Sequence, residues 1–116
     1  MNRVLEIRSY TLKPGTRAQF HALVLSEAIP MLKRWKIDVV YFGPSAHDDL
    51  SYILMRSFES LDDRQKSQDD FYGSDEWRHG PREGIIALIE NYTSFVVPVD
   101  ATTLEAFREL GGPGQA

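Results

Sequence analysis

The chain has 116 residues, 42% apolar and 26% charged, with no cysteine; this length supports one modest core without covalent staples, and the missing thiols exclude disulfides, thiolate nucleophiles, zinc ribbons and iron–sulfur clusters. A formal charge of −4 and a pI near 5.3 work against non-specific attraction to nucleic acid or an anionic membrane, since both need a basic face. No apolar run approaches the ~18 residues of a membrane span, and the charged opening Met1-Asn2-Arg3-Val4-Leu5-Glu6 lacks the apolar stretch of a signal peptide, so the cytoplasm is the expected location.

Val4 to Leu12 is rich in β-formers and alternates Val4, Glu6, Arg8, Tyr10 against Leu5, Ile7, Ser9, Thr11, which predicts a strand with two chemically different faces. Lys13-Pro14-Gly15 makes a turn, and Thr16-Arg17-Ala18-Gln19 has the form of a capping box, with Gln19 reaching back to the Thr16 amide. In the helix that follows, Phe20, Leu23, Val24, Ala28, Met31, Leu32 and Trp35 recur at helical spacing as one apolar stripe. Pro30 removes an amide donor inside that pattern, so a kink or short break is expected near Ala28 to Pro30, with the helix continuing to about Trp35. The basic cluster Lys33, Arg34 and Lys36 then answers the dipole at the helix end.

Asp38 to Gly43 and Leu50 to Phe58 both read as strands, joined by the turn-rich Pro44 to Asp49 into a hairpin. Both are apolar at consecutive positions, which means that both of their faces are covered. Ser60-Leu61-Asp62-Asp63 caps a polar helix through about Asp70, Ser74 to Trp77 starts a short helical turn, and Arg82 to Ile89 resumes a helical pattern. Tyr92 to Val97 is the fourth strand, closed by Pro98. Thr102-Thr103-Leu104-Glu105 repeats the capping-box form before a short helix that stops at Gly111-Gly112, and residues 113–116 are expected to be a mobile tail. No repeat, low-complexity tract or linker divides residues 1–116, so one domain is expected.

Strand, helix, strand, strand, helix, strand is the split βαβ order, and right-handed crossovers bring the first and fourth strands together in an antiparallel sheet. The predicted class is therefore α+β, ferredoxin-like βαββαβ. Both crossover helices fall on one face. The other receives apolar side chains from Val39 to Phe42 and Tyr52 to Met55, and a patch of that kind normally marks an interface, so a two-fold homodimer with the open sheet faces packed together is expected.

The segment Leu5-Glu6-Ile7-Arg8-Ser9-Tyr10-Thr11-Leu12-Lys13-Pro14-Gly15 resembles the opening signature of the NIPSNAP family, E-x-R-x-Y-x-L-x-x-G. Asp63-Arg64 and Asp75-Glu76-Trp77 are similar to later parts of that family's pattern, and the resemblance covers roughly Val4 to Pro98. The chain departs from it at Lys36, where glycine closing the first helix is expected. The resemblance implies a dimeric α/β barrel. Relatives in that superfamily include cofactor-free antibiotic-biosynthesis monooxygenases and haem-degrading or haem-binding proteins, while bacterial family members mostly lack an assigned activity.

Glu6, Arg8 and Tyr10 share one strand face, with Arg56 at similar depth on the third strand. They read either as a buried ion-pair network or as the polar groups of a pocket for an anionic or phenolic ligand. The candidate ligand-binding set is Arg8, Tyr10, His21, Trp35, Tyr52, Arg56 and Trp77, with Trp77 as a wall of the core or a lid over the pocket. Glu76-x-x-His79 is half of a carboxylate–histidine metal motif without its second copy, so no metal site and no cofactor are expected. No nucleophile elbow, phosphate loop or dinucleotide fingerprint occurs. The residues thus suit a small-molecule-binding protein, with a cofactor-independent oxygenase or isomerase acting on an aromatic or lipophilic substrate as one version. A non-enzymatic interaction module, docking through its dimer surface or through Asp62, Asp63, Asp69 and Asp70, and a haem-binding protein using one of His21, His47 and His79 are the alternatives.

Overall fold

In the computed structural model, which describes residues 2–111, alternation along the first strand is realised directly: β1 (Arg3–Leu12) sends Val4, Glu6, Arg8, Tyr10 and Leu12 to one face and Leu5 and Ile7 to the other. The other strands are β2 (Asp38–Pro44), β3 (Ser51–Phe58) and β4 (Ile89–Val99). All pairings are antiparallel, in the order β2-β3-β1-β4, and this is the ferredoxin-like α+β arrangement. β4 is an edge strand, which is why Pro98 can lie inside it opposite Val4 rather than ending it. Ile89, expected to belong to a helix, begins this strand instead.

The Lys13-Pro14-Gly15-Thr16 turn is closed by the Thr16 amide on the Lys13 carbonyl at 3.2 Å, with Gly15 at φ +78°, a backbone state that favours glycine. The same carbonyl accepts the Thr16 hydroxyl at 2.6 Å, so the expected capping box does not form at this helix start. Helix α1 (Arg17–Leu23) passes through a π-helical turn (Val24–Ala28) into α2 (Ile29–Arg34). Pro30 explains the interruption. It has no amide to give the Ser26 carbonyl, and the chain widens by one residue, with the Ile29 amide on the Val24 carbonyl, so that Pro30 falls in the first turn of α2.

At the end of α2 the Ile37 amide bonds the Leu32 carbonyl and the Lys36 amide bonds the Lys33 carbonyl, both at 3.0 Å, which is a Schellman closure. Lys36 is its left-handed residue, at φ +59°. The departure from glycine therefore changes the residue while the turn keeps its glycine-type geometry.

Between Val39 and Tyr41 the β2–β3 register shifts by one residue. This bulge turns both Val40 and Tyr41 to the face away from the helices, while Val39 and Phe42 pack toward them; the consecutive apolar run is thereby explained.

Helix α3 (Leu61–Tyr72) is capped by the Ser60 hydroxyl, which accepts from the Asp63 amide at 3.0 Å, and α4 (Asp75–Arg78) by the Ser74 hydroxyl, which accepts from the Trp77 amide at 3.2 Å. A five-residue helix, α5 (Arg82–Ile86), leads into β4. The main core lies between α1 to α5 and one sheet face, built on Phe20, Leu32, Phe42, Leu54, Phe58 and Phe71.

The other face is not left bare by its own chain, as the two-crossover reading supposed. Helix α6 (Ala101–Gly111) folds back over it, placing Leu104 and Phe107 on Leu5, Val40 and Met55. Arg108 donates to both carboxylate oxygens of Asp38 at 2.9 and 2.7 Å, and Asp38 also accepts from the Ser57 hydroxyl, which fixes α6 across the hairpin. The cap of α6 is Asp100, whose carboxylate accepts from the Thr103 amide at 2.8 Å, and not Thr102; the helix starts two residues earlier than the capping-box form suggested. The expected mobile tail at 113–116 lies outside the described residues, as does Gly112 of the expected helix stop.

Candidate functional site

Glu6 has no exposed surface, and neither has Arg56, its cross-strand partner in the β1–β3 register. A buried carboxylate is tolerable only when its lone pairs are taken and its charge is opposed. Here Arg56 donates to Oε1 from Nε at 3.0 Å and from Nη2 at 2.5 Å. Oε2 accepts from Arg64 Nε and Nη2 at 2.9 and 2.6 Å, from Gln68 Nε2 at 2.8 Å and, at 3.5 Å, from Arg8 Nη2. Burial alone would push this carboxyl up; Arg56 and Arg8, with hydrogen bonds from Gln68 and Arg64, override it and hold the group at about 2.

The network ends on a phenol. Tyr72 Oη accepts from Arg56 Nη1 at 2.8 Å and from Arg8 Nη1 at 3.2 Å. Arg8 also donates from Nε to the Ser94 hydroxyl of β4 at 3.0 Å, and its guanidinium carbon lies 4.9 Å from the Tyr92 ring centroid and 5.8 Å from that of Tyr72. Both distances suit cation–π contact.

Beside this network a cleft of about 590 Å³ opens between β1, β4 and the α3 to α5 segment; Arg8, Tyr10, Tyr72, Trp77, Arg82 and Tyr92 are among its walls. Tyr10, Tyr72, Trp77 and Ile85 also bound a smaller inner chamber of about 40 Å³, otherwise lined by core residues such as Phe20, Leu32 and Phe71. The arrangement is cationic and hydrogen-bonding on one wall and apolar toward the interior. Burial pushes the Tyr10 phenol up to about 12, and the neighbouring Tyr72 adds to the shift, so Tyr10 stays neutral.

Arg8, Tyr10 and Trp77 line the cleft, and Tyr52 lines the inner chamber. Arg56 lies behind Tyr72, closed off by Glu6, and acts on the cleft only through its neighbours. Trp77 is buried and forms the partition between cleft and chamber rather than an exposed flap. His21 lies outside both spaces, with its Nδ1 2.6 Å from the Tyr52 hydroxyl. Trp35 is also outside: its indole donates to Glu76 Oε1 at 2.8 Å, while Arg34 holds Oε2. Glu76 is thus spent on Arg34 and Trp35, and His79 Nε2 faces Asp75 at 3.8 Å, so the Glu-x-x-His pair does not converge.

Arg64, Gln68 and Tyr72 are not in the candidate ligand-binding set, Arg64 having entered only through the Asp63-Arg64 family pattern, yet they are the α3 contribution to the site. Their signal is an i, i+4, i+8 series, which sets three polar side chains on one stripe of a helix that must face the sheet. Tyr92 and Ser94 follow likewise from alternation along β4 once the β1–β4 register puts them opposite Tyr10 and Arg8.

The NIPSNAP family model matches residues 5–100. The chain belongs to the NIPSNAP family. A NIPSNAP family protein from Agrobacterium tumefaciens superimposes with a TM-score of 0.79 at 19% identity, over 89% of this chain and 90% of that one. A second A. tumefaciens NIPSNAP protein, of unknown function, gives 0.76 at 24%, over 84% and 87%. A Bordetella bronchiseptica protein whose proposed role is that of an antibiotic biosynthesis monooxygenase gives 0.64 at 22%, over 86% and 97%. These likenesses show a common fold. No curated protein gives a significant match. No described helix of this NIPSNAP protein is long and apolar enough to cross a membrane.

Proposed function

We propose that this NIPSNAP protein is a single-domain, cytoplasmic homodimer that binds a small anionic or phenolic molecule with an aromatic or lipophilic body, in the cleft beside Arg8. The observation that carries the reading is a cationic wall, Arg8 backed by Arg56, on a cleft that shares Tyr10, Tyr72, Trp77 and Ile85 with a neighbouring apolar chamber. Ligand sites combine a few convergent polar groups with an apolar lining in this way. On this reading Arg8 and Tyr10 serve the ligand, while Glu6 and Arg56 form the ion-pair network behind them.

Cofactor-independent oxygenation of the bound anion is the second reading, favoured by the fold shared with the Bordetella bronchiseptica protein. Isomerisation needs a base at the ligand, and the carboxylate that lines the cleft, Asp69, already accepts from Gln65 at 2.9 Å. Glu6 is saturated with donors and held at about 2, and Tyr10 is pushed up to about 12. Among the described residues no histidine lines the cleft or the chamber, so a haem seated there would have no histidine ligand. In the acidic helix Asp63 serves the cap, Asp69 accepts from Gln65 and Asp70 pairs with Lys66, which leaves the exposed Asp62 as the carboxylate open to a docking partner.

A thermal-shift panel of aromatic acids, phenols and hydroxyquinones tests the proposal. Binders should raise the melting temperature by several degrees, since a ligand at 100 times its Kd stabilises by about 2.7 kcal/mol. A panel without a single stabilising member would remove the ligand-binding reading.

A further inference from the structure

A phenol oxygen has two lone pairs and one proton, and a guanidinium can only donate. With Arg8 and Arg56 both donating to Tyr72, its lone pairs are occupied, and no described side chain hydrogen-bonds as acceptor to its proton. Tyr72 also stands in the cleft wall. Its proton must therefore point away from the two arginines, and the open side is the cleft.

Arg8 has a matching surplus. Of its five N–H bonds, one goes to Ser94, one to Tyr72 and one to Glu6, which leaves two. Its side chain is 11% exposed, so the guanidinium is largely dehydrated yet reachable. The cluster of Arg8, Arg56 and Arg64 around Glu6 carries three positive charges and one negative, a net of +2 behind the cleft, and the cleft's own walls carry Arg8 and Arg82 against Asp69, whose carboxylate already accepts from Gln65.

We propose that Tyr72 is the hydroxyl that selects the ligand: its O–H, turned away from the arginines, donates to an oxyanion of carboxylate, enolate or phenolate type seated beside Arg8, while the apolar body of the same molecule lies against Trp77, Ile85 and Tyr92. This rests on the cleft being a ligand site and adds which chemical group enters it and which atom reads it. Charge-assisted bonds from a phenol and a guanidinium favour an anion over a neutral acceptor. A cation has no lone pair for Tyr72 and meets the positive wall. The ranking for one apolar body is carboxylate, then alcohol, then ammonium.

Three probes with the same ring system isolate the head group: 2-naphthoate, 2-naphthalenemethanol and 2-naphthalenemethylamine, titrated by calorimetry into wild type and Tyr72→Phe at pH 7.5. In wild type the acid should bind at least about 10-fold tighter than the alcohol, and the amine should not bind, as expected for a hydrogen bond to a charged group. Tyr72→Phe should weaken the acid about 10-fold and leave the alcohol within about threefold, so that the ratio collapses; general loosening of the fold would weaken both alike. A variant that keeps the wild-type ratio overturns the role of Tyr72 while the cleft stands as a ligand site. Equal binding of acid and alcohol by wild type does the same and needs no folded variant. If wild type binds none of the three, the ligand-site reading falls as well.

Discussion

A carboxylate surrounded by three guanidiniums and an amide makes folding sensitive to acid in a particular window. Glu6 drops from the ordinary carboxylate range near 4.5 to about 2 on folding. A depressed carboxyl stabilises the fold fully above the unfolded value, and that contribution disappears as pH falls from about 4.5 through about 2. The shift corresponds to about 3 kcal/mol. Urea midpoints should decline across this window in wild type, and Glu6→Gln should flatten the decline while lowering stability at pH 7 by about 3–5 kcal/mol, because it leaves buried arginines unopposed. An unchanged acid slope in Glu6→Gln would mean that other carboxylates carry it. The Glu6, Arg8, Tyr10 alternation was legible from β-strand geometry alone. Its partners Arg64, Gln68 and Tyr72 were not, because helix–sheet docking decides which stripe of a polar helix turns inward, and α3 has too few apolar residues to announce it.

At the scale of elements, local chemistry predicted existence better than detail. Pro30 forecast the break between α1 and α2, but the form of the repair, a π-helical turn, depends on how the widened helix seats Val24 and Ile29 in the core. Thr16 and Thr102 both carried capping-box spacing and neither caps, since a carbonyl held by the preceding turn captures one hydroxyl and Asp100 supplies a carboxylate in place of the other. Lys36 offers a clean test. Left-handed backbone costs a side-chain-bearing residue about 1 kcal/mol that glycine avoids. Lys36→Gly should therefore raise the melting temperature by roughly 4 °C, measured by calorimetry, and a decrease would show that the lysine side chain contributes more than its backbone costs.

For the whole molecule, the order of four strands and two crossovers was readable, whereas the destination of α6 was not, because an amphipathic terminal helix carries no record of which surface it will cover. Its landing on Leu5, Val40 and Met55 shrinks the apolar face open to a second subunit without closing it: Phe95, opposite Ile7 in the β1–β4 register, is 67% exposed. If the proposed homodimer uses this remainder, Phe95→Glu should convert it to a folded monomer by sedimentation velocity, with unchanged far-UV circular dichroism. A wild type that already sediments as a monomer would remove the dimer.

Tyr72 belongs at once to the charge cluster that supports the sheet and to the wall of the cleft. Natural variation in what such a cleft accepts is therefore constrained on that side, where a substitution unsettles Arg8 and Arg56. The α5 rim, with Arg82 and the exposed Ile86, has lighter structural duties. Drift in ligand preference should accumulate there, so that relatives with different tastes would share an inner wall and diverge at the lip.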